Sequence, residues 1–228
     1  MVSEAEVTFA ARTDQGEDAP RAGRGSAIST KRGDDGTTGL LFGGDRIAKD
    51  DPRTEAFGTI DEAVASLGVV RAELGFKRGL NELPPTLGLI EQLVLRFQRE
   101  LFVVASELAT NPDAWERQKD GVTRVTAEMV AGVEQLLADF EARLVLPREF
   151  VVPGETRASA ALELARTILR RAERRAVSLD RAGLVPGPHL LPYLNRLADL
   201  LWVLARTAEQ AESRPPTSVR AAPRPPRT

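Results

Sequence analysis

The chain has 228 residues, and its 31 Lys and Arg against 33 Asp and Glu leave a net charge of only −2. Such a balance provides no broad positive field for nucleic acid or an anionic membrane. The absence of cysteine excludes disulfides, thiolate metal sites and cysteine nucleophiles. No apolar run approaches the ~20 residues that span a bilayer, and the N-terminus lacks a signal-peptide pattern. We therefore expect a cytoplasmic protein.

Two segments without helical periodicity flank a single predicted domain. Residues 1–26 mix small, basic and acidic side chains, which predicts a disordered N-terminal tail. Residues 213–228 are rich in proline and arginine, which predicts a disordered C-terminal tail. Residues 27–212 lie between these tails and are numerous enough to bury one hydrophobic core.

Helical periodicity dominates the predicted domain after an opening glycine-rich loop. Five helices joined by short connections predict an all-α five-helix bundle. A short apolar segment at 150–154 reads as extended chain followed by a turn. The predicted helices cover residues 53–74, 87–109, 123–144, 156–179 and 192–212.

The glycine-rich loop at 30–39 has the composition of an anion-binding segment. Its glycines allow the backbone to approach a ligand closely and to direct N–H groups toward it. Lys31, Thr37 and Thr38 add further donors. This chemistry suits a polyphosphate, although the spacing is not that of a Walker A loop. For a loop of this composition alone, a solvated turn is the simpler interpretation.

The fourth predicted helix carries a basic face. Arg166, Arg170, Glu173 and Arg174 fall on one arc of the helix, separate from the apolar arc that faces the core. Three arginines this close would repel one another unless anions met them, so a bound phosphate or a carboxylate from another helix is one explanation. A solvent-exposed basic face is an equally good one.

Carboxylates near the start of the first helix form a third candidate group. Asp61 and Glu62 lie among apolar residues, where a carboxylate usually needs a cationic partner. Arg166 is the candidate partner for Asp61, whereas Glu62 is equally well explained as a residue facing water. The single histidine, His189, cannot build a zinc site without cysteines, and no metal site is predicted.

Together these segments resemble the PduO-type ATP:cob(I)alamin adenosyltransferase family from Thr30 to about Arg206. Three blocks in the same order carry the resemblance, and they span residues 30–50, 57–62 and 165–199. The resemblance implies a homotrimer of five-helix bundles with ferritin-like up-down packing and active sites between neighbouring subunits. It also implies ATP as co-substrate, Mg²⁺ as its companion ion and cobalamin as the substrate.

The resemblance assigns roles to individual residues of this chain. Asp61 and Arg166 would form a salt bridge across the subunit boundary, and Phe150 would lie under the corrin ring. Arg170 would act on the phosphates as part of the catalytic set. The residues that would bind ATP are Thr30, Lys31, Gly33, Thr38, Lys49, Arg170, Glu173, Arg174 and Asn195.

The implied reaction moves the 5′-deoxyadenosyl group of ATP to cob(I)alamin and releases triphosphate. A flavin-dependent reductase would supply the electron, and an adenosylcobalamin-dependent enzyme could receive the product. One departure from the family is the run Ala63-Val64-Ala65, where polar residues are usual. This change leaves open a non-catalytic, ATP-dependent corrinoid chaperone or sensor. A structural bundle whose arginine face docks an acidic partner is a further alternative.

Overall fold

The structure is a computed structural model that describes residues 29–220, and this part of the chain is mostly helical. The tail predicted for residues 1–26 lies outside the described residues. No helix within 29–220 is long and apolar enough to cross a membrane. The elements in chain order are β1 (Thr37–Thr38), β2 (Ile47–Ala48), α1 (Pro52–Gly79), α2 (Pro85–Ala109), a 3-10 helix (Pro112–Arg117), α3 (Ala127–Glu141), β3 (Val151–Val152), α4 (Arg157–Arg181), α5 (Leu190–Ala211) and β4 (Thr217–Ser218).

Side-chain caps explain where α1 and α4 begin. The Asp51 carboxylate accepts a hydrogen bond from the backbone N–H of Arg53 at 2.8 Å, and Pro52 occupies the first turn of α1, where a missing N–H costs nothing. At the start of α4, Thr156 and Ser159 form a reciprocal capping box. This cap fixes the start of the helix that carries the basic face.

Helix α3 begins later than the sequence predicts. Periodicity places its start at Thr123, but the structure has a turn in which Lys119 O accepts hydrogen bonds from the N–H groups of Thr123 and Arg124. The Thr126 hydroxyl then caps α3 by accepting from Met129 N at 3.3 Å. A local turn with its own hydrogen bonds therefore replaces the first predicted turn of helix.

The core lies where α1 packs against α2 and α4, and α5 packs against α4 and α3. The core-facing side of α4 is lined with alanines, which let neighbouring helices approach closely. Helix α5 is buried over most of its surface, and its Tyr193 hydroxyl reaches Glu100 on α2 at 2.7 Å. The buried alanines of α4 are Ala158, Ala161, Ala165, Ala172 and Ala176.

Two small antiparallel sheets depart from the all-α prediction. Strands β1 and β2 form a hairpin within the glycine-rich loop, and β3 pairs with β4. Strand β4 lies inside the stretch predicted as a disordered C-terminal tail. Its pairing with β3 continues in a hydrogen bond of 2.9 Å from Val219 N to Phe150 O. Ordered chain thus extends beyond α5 to residue 220, and residues 221–228 of the predicted tail lie outside the described residues.

Candidate active site

The glycine-rich loop brings several of the predicted ATP-binding residues together. Lys49 follows β2, and its N–H donates to Gly36 O at 2.9 Å. Its side chain crosses Gly33 so closely that a Cβ at that position would lie 3.0 Å from Nζ. A side chain at position 33 would therefore displace the end of the lysine from its present path. The loop thus places an ammonium group beside an open stretch of backbone, as an anion site requires.

Arg46 holds this loop in shape, a role that sequence reasoning missed. Its Nε donates to the Thr37 hydroxyl at 2.7 Å, and one terminal nitrogen donates to Arg32 O at 2.7 Å and Thr37 O at 2.9 Å. The Thr37 hydroxyl in turn donates to Asp35 at 2.8 Å. Thr37 is thereby used within the loop, whereas its neighbour Thr38 could meet a ligand.

Asp35 is the acceptor that completes the loop. The backbone N–H and the hydroxyl of Thr37 both donate to its carboxylate, and these bonds lower the pKa of Asp35 below its ordinary value. The carboxylate therefore stays ionised at neutral pH. Its charge is directed into the loop by the hydrogen bonds, so it supports the backbone fold of the anion site.

The second group of predicted ATP-binding residues also comes together. Arg170, Glu173 and Arg174 on α4 face Asn195 on α5 across a cavity of about 470 Å³. Asn195 Nδ2 donates to Glu173 at 3.1 Å, which fixes the amide at the cavity wall. Arg181, about two turns beyond Arg174 on α4, lines the same cavity and was not predicted. Its spacing from Arg174, which returns to the same face of the helix, was the available signal.

The arginines of α4 divide into two sets with different partners. On the side facing α1, Arg171 pairs with Glu62, and Arg175 pairs with Glu55 at 3.2 Å. On the cavity side, neither Arg170 nor Arg174 has a carboxylate within ion-pair distance among residues 29–220. Two uncompensated guanidinium groups beside an amide make this cavity suitable for an extended anion such as a polyphosphate.

A second cavity of about 580 Å³ contains two further predicted site residues, Phe150 and Arg166. The Phe150 side chain is 88% exposed, an unusual position for a phenylalanine without a partner. Trp202 of α5 lines the same cavity. The cavity therefore offers aromatic and aliphatic surface together with charged side chains of both signs, Glu163 among them.

The predicted pair of Asp61 and Arg166 is not present within one chain. Arg166 Nε donates to Glu163 at 2.6 Å, three residues earlier on α4. Asp61 is exposed, in contrast to the apolar surroundings expected for it, and has no ion-pair partner among the described residues. Glu163 was absent from the predicted site. A pair between subunits, as the resemblance implies, stays a prediction.

These features define a class of protein first: a mostly helical scaffold with one cavity lined by arginines that are unpaired within residues 29–220 and a second, partly apolar cavity. The family follows from sequence comparison, because residues 28–208 match the family model described as Cobalamin adenosyltransferase. The chain belongs to this family.

Relatives of known name agree with this assignment. The chain is 38% identical over 182 residues to a corrinoid adenosyltransferase from Citrobacter freundii, covering 80% of this chain and 94% of the relative. It is 37% identical over 179 residues to a corrinoid adenosyltransferase from Bacillus subtilis, covering 78% and 84%. Its fold superposes with a TM-score of 0.73 and 28% identity on a variant PduO-type ATP:corrinoid adenosyltransferase from Lactobacillus reuteri complexed with cobalamin and ATP, covering 85% of this chain and 99% of that one.

Proposed function

We propose that this protein transfers the 5′-deoxyadenosyl group of ATP to cob(I)alamin. The observation that carries the proposal is the cavity between α4 and α5, where Arg170 and Arg174 lack carboxylate partners in the described chain and lie beside Asn195. In a member of the cobalamin adenosyltransferase family, this is where the negative charge of a triphosphate would be met. The glycine-rich loop would supply further contacts from Thr30, Lys31, Gly33, Thr38 and Lys49.

The reaction requires little acid–base chemistry from the protein. The Co(I) centre of the substrate supplies the electron pair that forms the Co–C5′ bond, and the C5′–O bond to triphosphate breaks. Cobalt becomes formally Co(III), and the triphosphate carries away the bonding electrons. The chain must therefore hold C5′ in line with cobalt and stabilise the growing charge on the leaving group. Arg170, Arg174 and the two lysines are suited to the second task.

Phe150 is suited to the corrinoid side of the reaction. We assign the cavity that it shares with Arg166 and Trp202 to one face of the corrin ring. An exposed aromatic ring there would displace water and the lower axial ligand of cobalt, which makes Co(II) easier to reduce. The electron itself would come from a separate flavin-dependent reductase, and the product could pass to an adenosylcobalamin-dependent enzyme.

A homotrimer of five-helix bundles, with up-down packing of the ferritin-like kind, would complete the site. The cavity lined by Arg170 includes no residue of the glycine-rich loop. A loop from a neighbouring subunit could cover this cavity, and Asp61 could then reach the partner's basic face. We therefore expect a particle of three times the 24.8 kDa chain mass, located in the cytoplasm.

The family resemblance implies that Mg²⁺ enters the site together with ATP. No group of three or more His, Asp or Glu side chains within 29–220 is arranged to hold a metal ion. Mg²⁺ that accompanies ATP would then be held by phosphate oxygens. The cationic side chains of the loop and of α4 are the groups with which this chain neutralises the triphosphate.

The experiment that tests the proposal mixes chemically reduced cob(I)alamin, Mg-ATP and the purified protein under anaerobic conditions. We expect the visible spectrum of adenosylcobalamin to appear with the wild type and to be lost in Arg170→Ala. The matched control is Arg157→Ala, which removes an exposed arginine of α4 that pairs with Glu73 at 2.8 Å. Control turnover at the wild-type rate would show that the loss is specific to the cavity.

Two outcomes would overturn the proposal. Binding of corrinoid and ATP by the wild type without triphosphate release would favour the chaperone or sensor, which the run Ala63-Val64-Ala65 left open. If Arg170→Ala weakened the capture of an acidic protein and left ATP binding unchanged, the basic face would instead be a docking surface. Both outcomes are readable from the same protein preparations.

A further inference from the structure

A buried network of charged side chains lies behind the cavity that contains Phe150. Arg206 on α5 donates to both carboxylate oxygens of Glu209, at 2.8 and 2.7 Å. Its third nitrogen donates to Glu163 on α4 at 3.1 Å. The side chains of Arg206, Glu209 and Glu163 are only 2%, 1% and 5% exposed. Three formal charges are thus enclosed between two helices.

The network continues outward to the cavity wall. Glu163 uses one oxygen for Arg206 and the other for Arg166 Nε at 2.6 Å. With Arg166 included, two carboxylates balance two guanidinium groups. Arg166 is the member that reaches the surface, since its side chain is 23% exposed and lines the cavity with Phe150. A single carboxylate therefore connects the buried arginine to the arginine of the candidate site.

Stability alone does not account for this arrangement. Burying charges carries a large desolvation penalty, and apolar residues of similar volume often stabilise a core equally well. What the network does provide is orientation, because the fork of Arg206 holds Glu163 in a fixed position. Glu163 in turn fixes the side chain of Arg166 at Nε. Within the described residues, the two terminal nitrogens of Arg166 have no hydrogen-bond partner, so they remain available at the cavity.

Arg206 also contacts a second wall of the same cavity. Its guanidinium carbon lies 5.5 Å from the centroid of the Trp202 ring, within the range of a cation–π interaction. Trp202 lines the cavity together with Phe150 and Arg166. One buried arginine thus supports both an aromatic and a cationic part of the wall.

We infer that Glu163, held by Arg206 and Glu209, is a positioning residue that fixes Arg166 at the wall of the corrinoid cavity, where its terminal nitrogens are available to pair with Asp61 of a neighbouring subunit. This inference rests on the proposed function. Glu163 lines the same cavity but is only 4% exposed as a residue, and both of its carboxylate oxygens are used by arginines. We therefore expect its effect on the reaction to pass through Arg166, and this dependence can be measured.

The test compares Glu163→Gln, Arg166→Ala and the double variant in the anaerobic assay. Glu163→Gln keeps the shape of the side chain but removes its charge, and we expect the KM for cob(I)alamin to rise about tenfold while the KM for ATP is unchanged. In the Arg166→Ala background, adding Glu163→Gln should change neither constant further, since residues that act through one contact are not additive. Glu73→Gln is the control, because Glu73 pairs with Arg157 away from the cavity.

Glu163→Gln could prevent folding because it removes one charge from a buried network. A second variant without any of the three buried charges addresses this possibility. Glu163→Gln, Arg206→Met and Glu209→Gln together remove the three buried charges, so no unpaired charge remains in the core. We expect this triple variant to fold and to show at least the same rise in the corrinoid KM, since Arg206→Met also removes the contact with Trp202. Corrinoid kinetics like those of the wild type in either variant, or additive effects in the double variant, would overturn the inference. Absence of turnover in the wild type and in Glu73→Gln would instead overturn the proposed function.

Discussion

At the scale of single residues, arginines of α4 that pair with a carboxylate differ from those that face a cavity without one. Arg171 and Arg170 are neighbours on α4 with the same chemistry, yet Arg171 pairs with Glu62 on α1 and Arg170 faces the cavity beside Asn195. An exposed ion pair contributes little to stability, at most about 1 kcal/mol. Its effect here is to neutralise Arg171, whereas Arg170 has no carboxylate partner in the described chain and could pair with an anion.

Arg46 gives a residue-scale prediction. Arg46→Ala removes the three hydrogen bonds that join Arg32 and Thr37 across the glycine-rich loop. We expect the KM for ATP to rise about tenfold, because the loop must then be ordered by the ligand itself. The KM for cob(I)alamin should remain the same. The measurement is steady-state kinetics with each substrate varied in turn.

A matched control for Arg46 is Arg78→Ala. Arg78 is an exposed arginine at the end of α1 that pairs with Glu91 at 2.7 Å. Its removal should leave both constants unchanged. Equal KM values for ATP in Arg46→Ala and Arg78→Ala would show that ATP binding does not depend on the hydrogen bonds of Arg46.

At the scale of elements, the pairing of β3 with β4 determines where Phe150 lies. The segment that follows α5 returns to the start of α4, and Val219 N donates to Phe150 O at 2.9 Å. Val219 and Arg220 line the same cavity as Phe150. An exposed two-stranded sheet is only marginally stable, so β4 affects the position of the aromatic ring more than the stability of the fold.

Val219→Pro tests this element. Proline lacks the N–H that bonds to Phe150 O, so the backbone pairing is lost at that point. We expect the KM for cob(I)alamin to rise several-fold, an estimate based on the loss of about one hydrogen bond, while the melting temperature barely changes. Val219→Ala is the control, because it shortens the side chain but keeps the N–H donor. Equal corrinoid kinetics in the two variants would argue against a role for β4.

At the scale of the whole molecule, the connection between α2 and α3 depends on a buried acid. Glu107 is 1% exposed and accepts a hydrogen bond from Val125 N at 2.6 Å. Burial raises the pKa of Glu107 above its ordinary value of 4.5, although the bond from Val125 opposes the shift. The folded state therefore binds this proton more tightly than the unfolded state does.

The pH dependence of stability follows from the direction of this shift. A carboxyl whose pKa is raised in the folded state contributes most stability below its unfolded pKa, and this contribution is lost as pH rises through the folded pKa. Glu107→Gln removes the titration. Relative to the wild type, the variant should therefore become more stable as pH rises from acidic to neutral. Urea unfolding at several pH values measures the difference, and a difference that does not change with pH would contradict the prediction.

Much of the architecture and part of the site could be predicted because they depend on local sequence. Apolar periodicity indicated the five α-helices found within residues 29–220, and i, i+4 spacing placed Arg170 and Arg174 on one face. These patterns depend on residues close together in the sequence, so they can be recognised without knowledge of the tertiary structure. The start of α3 was less predictable, since a hydrogen-bonded turn competes with the first turn of that helix.

Only the tertiary structure decided which charges are neutralised and which remain available. The contact of Glu163 with Arg206 joins residues 43 positions apart, and Arg171 meets Glu62 across 109 positions. Such pairs depend on the register between packed helices, which the shapes of core side chains set and no local pattern reveals. A charged pair at Arg206 and Glu209 within the apolar α5 was the available signal for the buried network. The sequence by itself thus determined the helices and the chemical groups, whereas helix packing determined their partners.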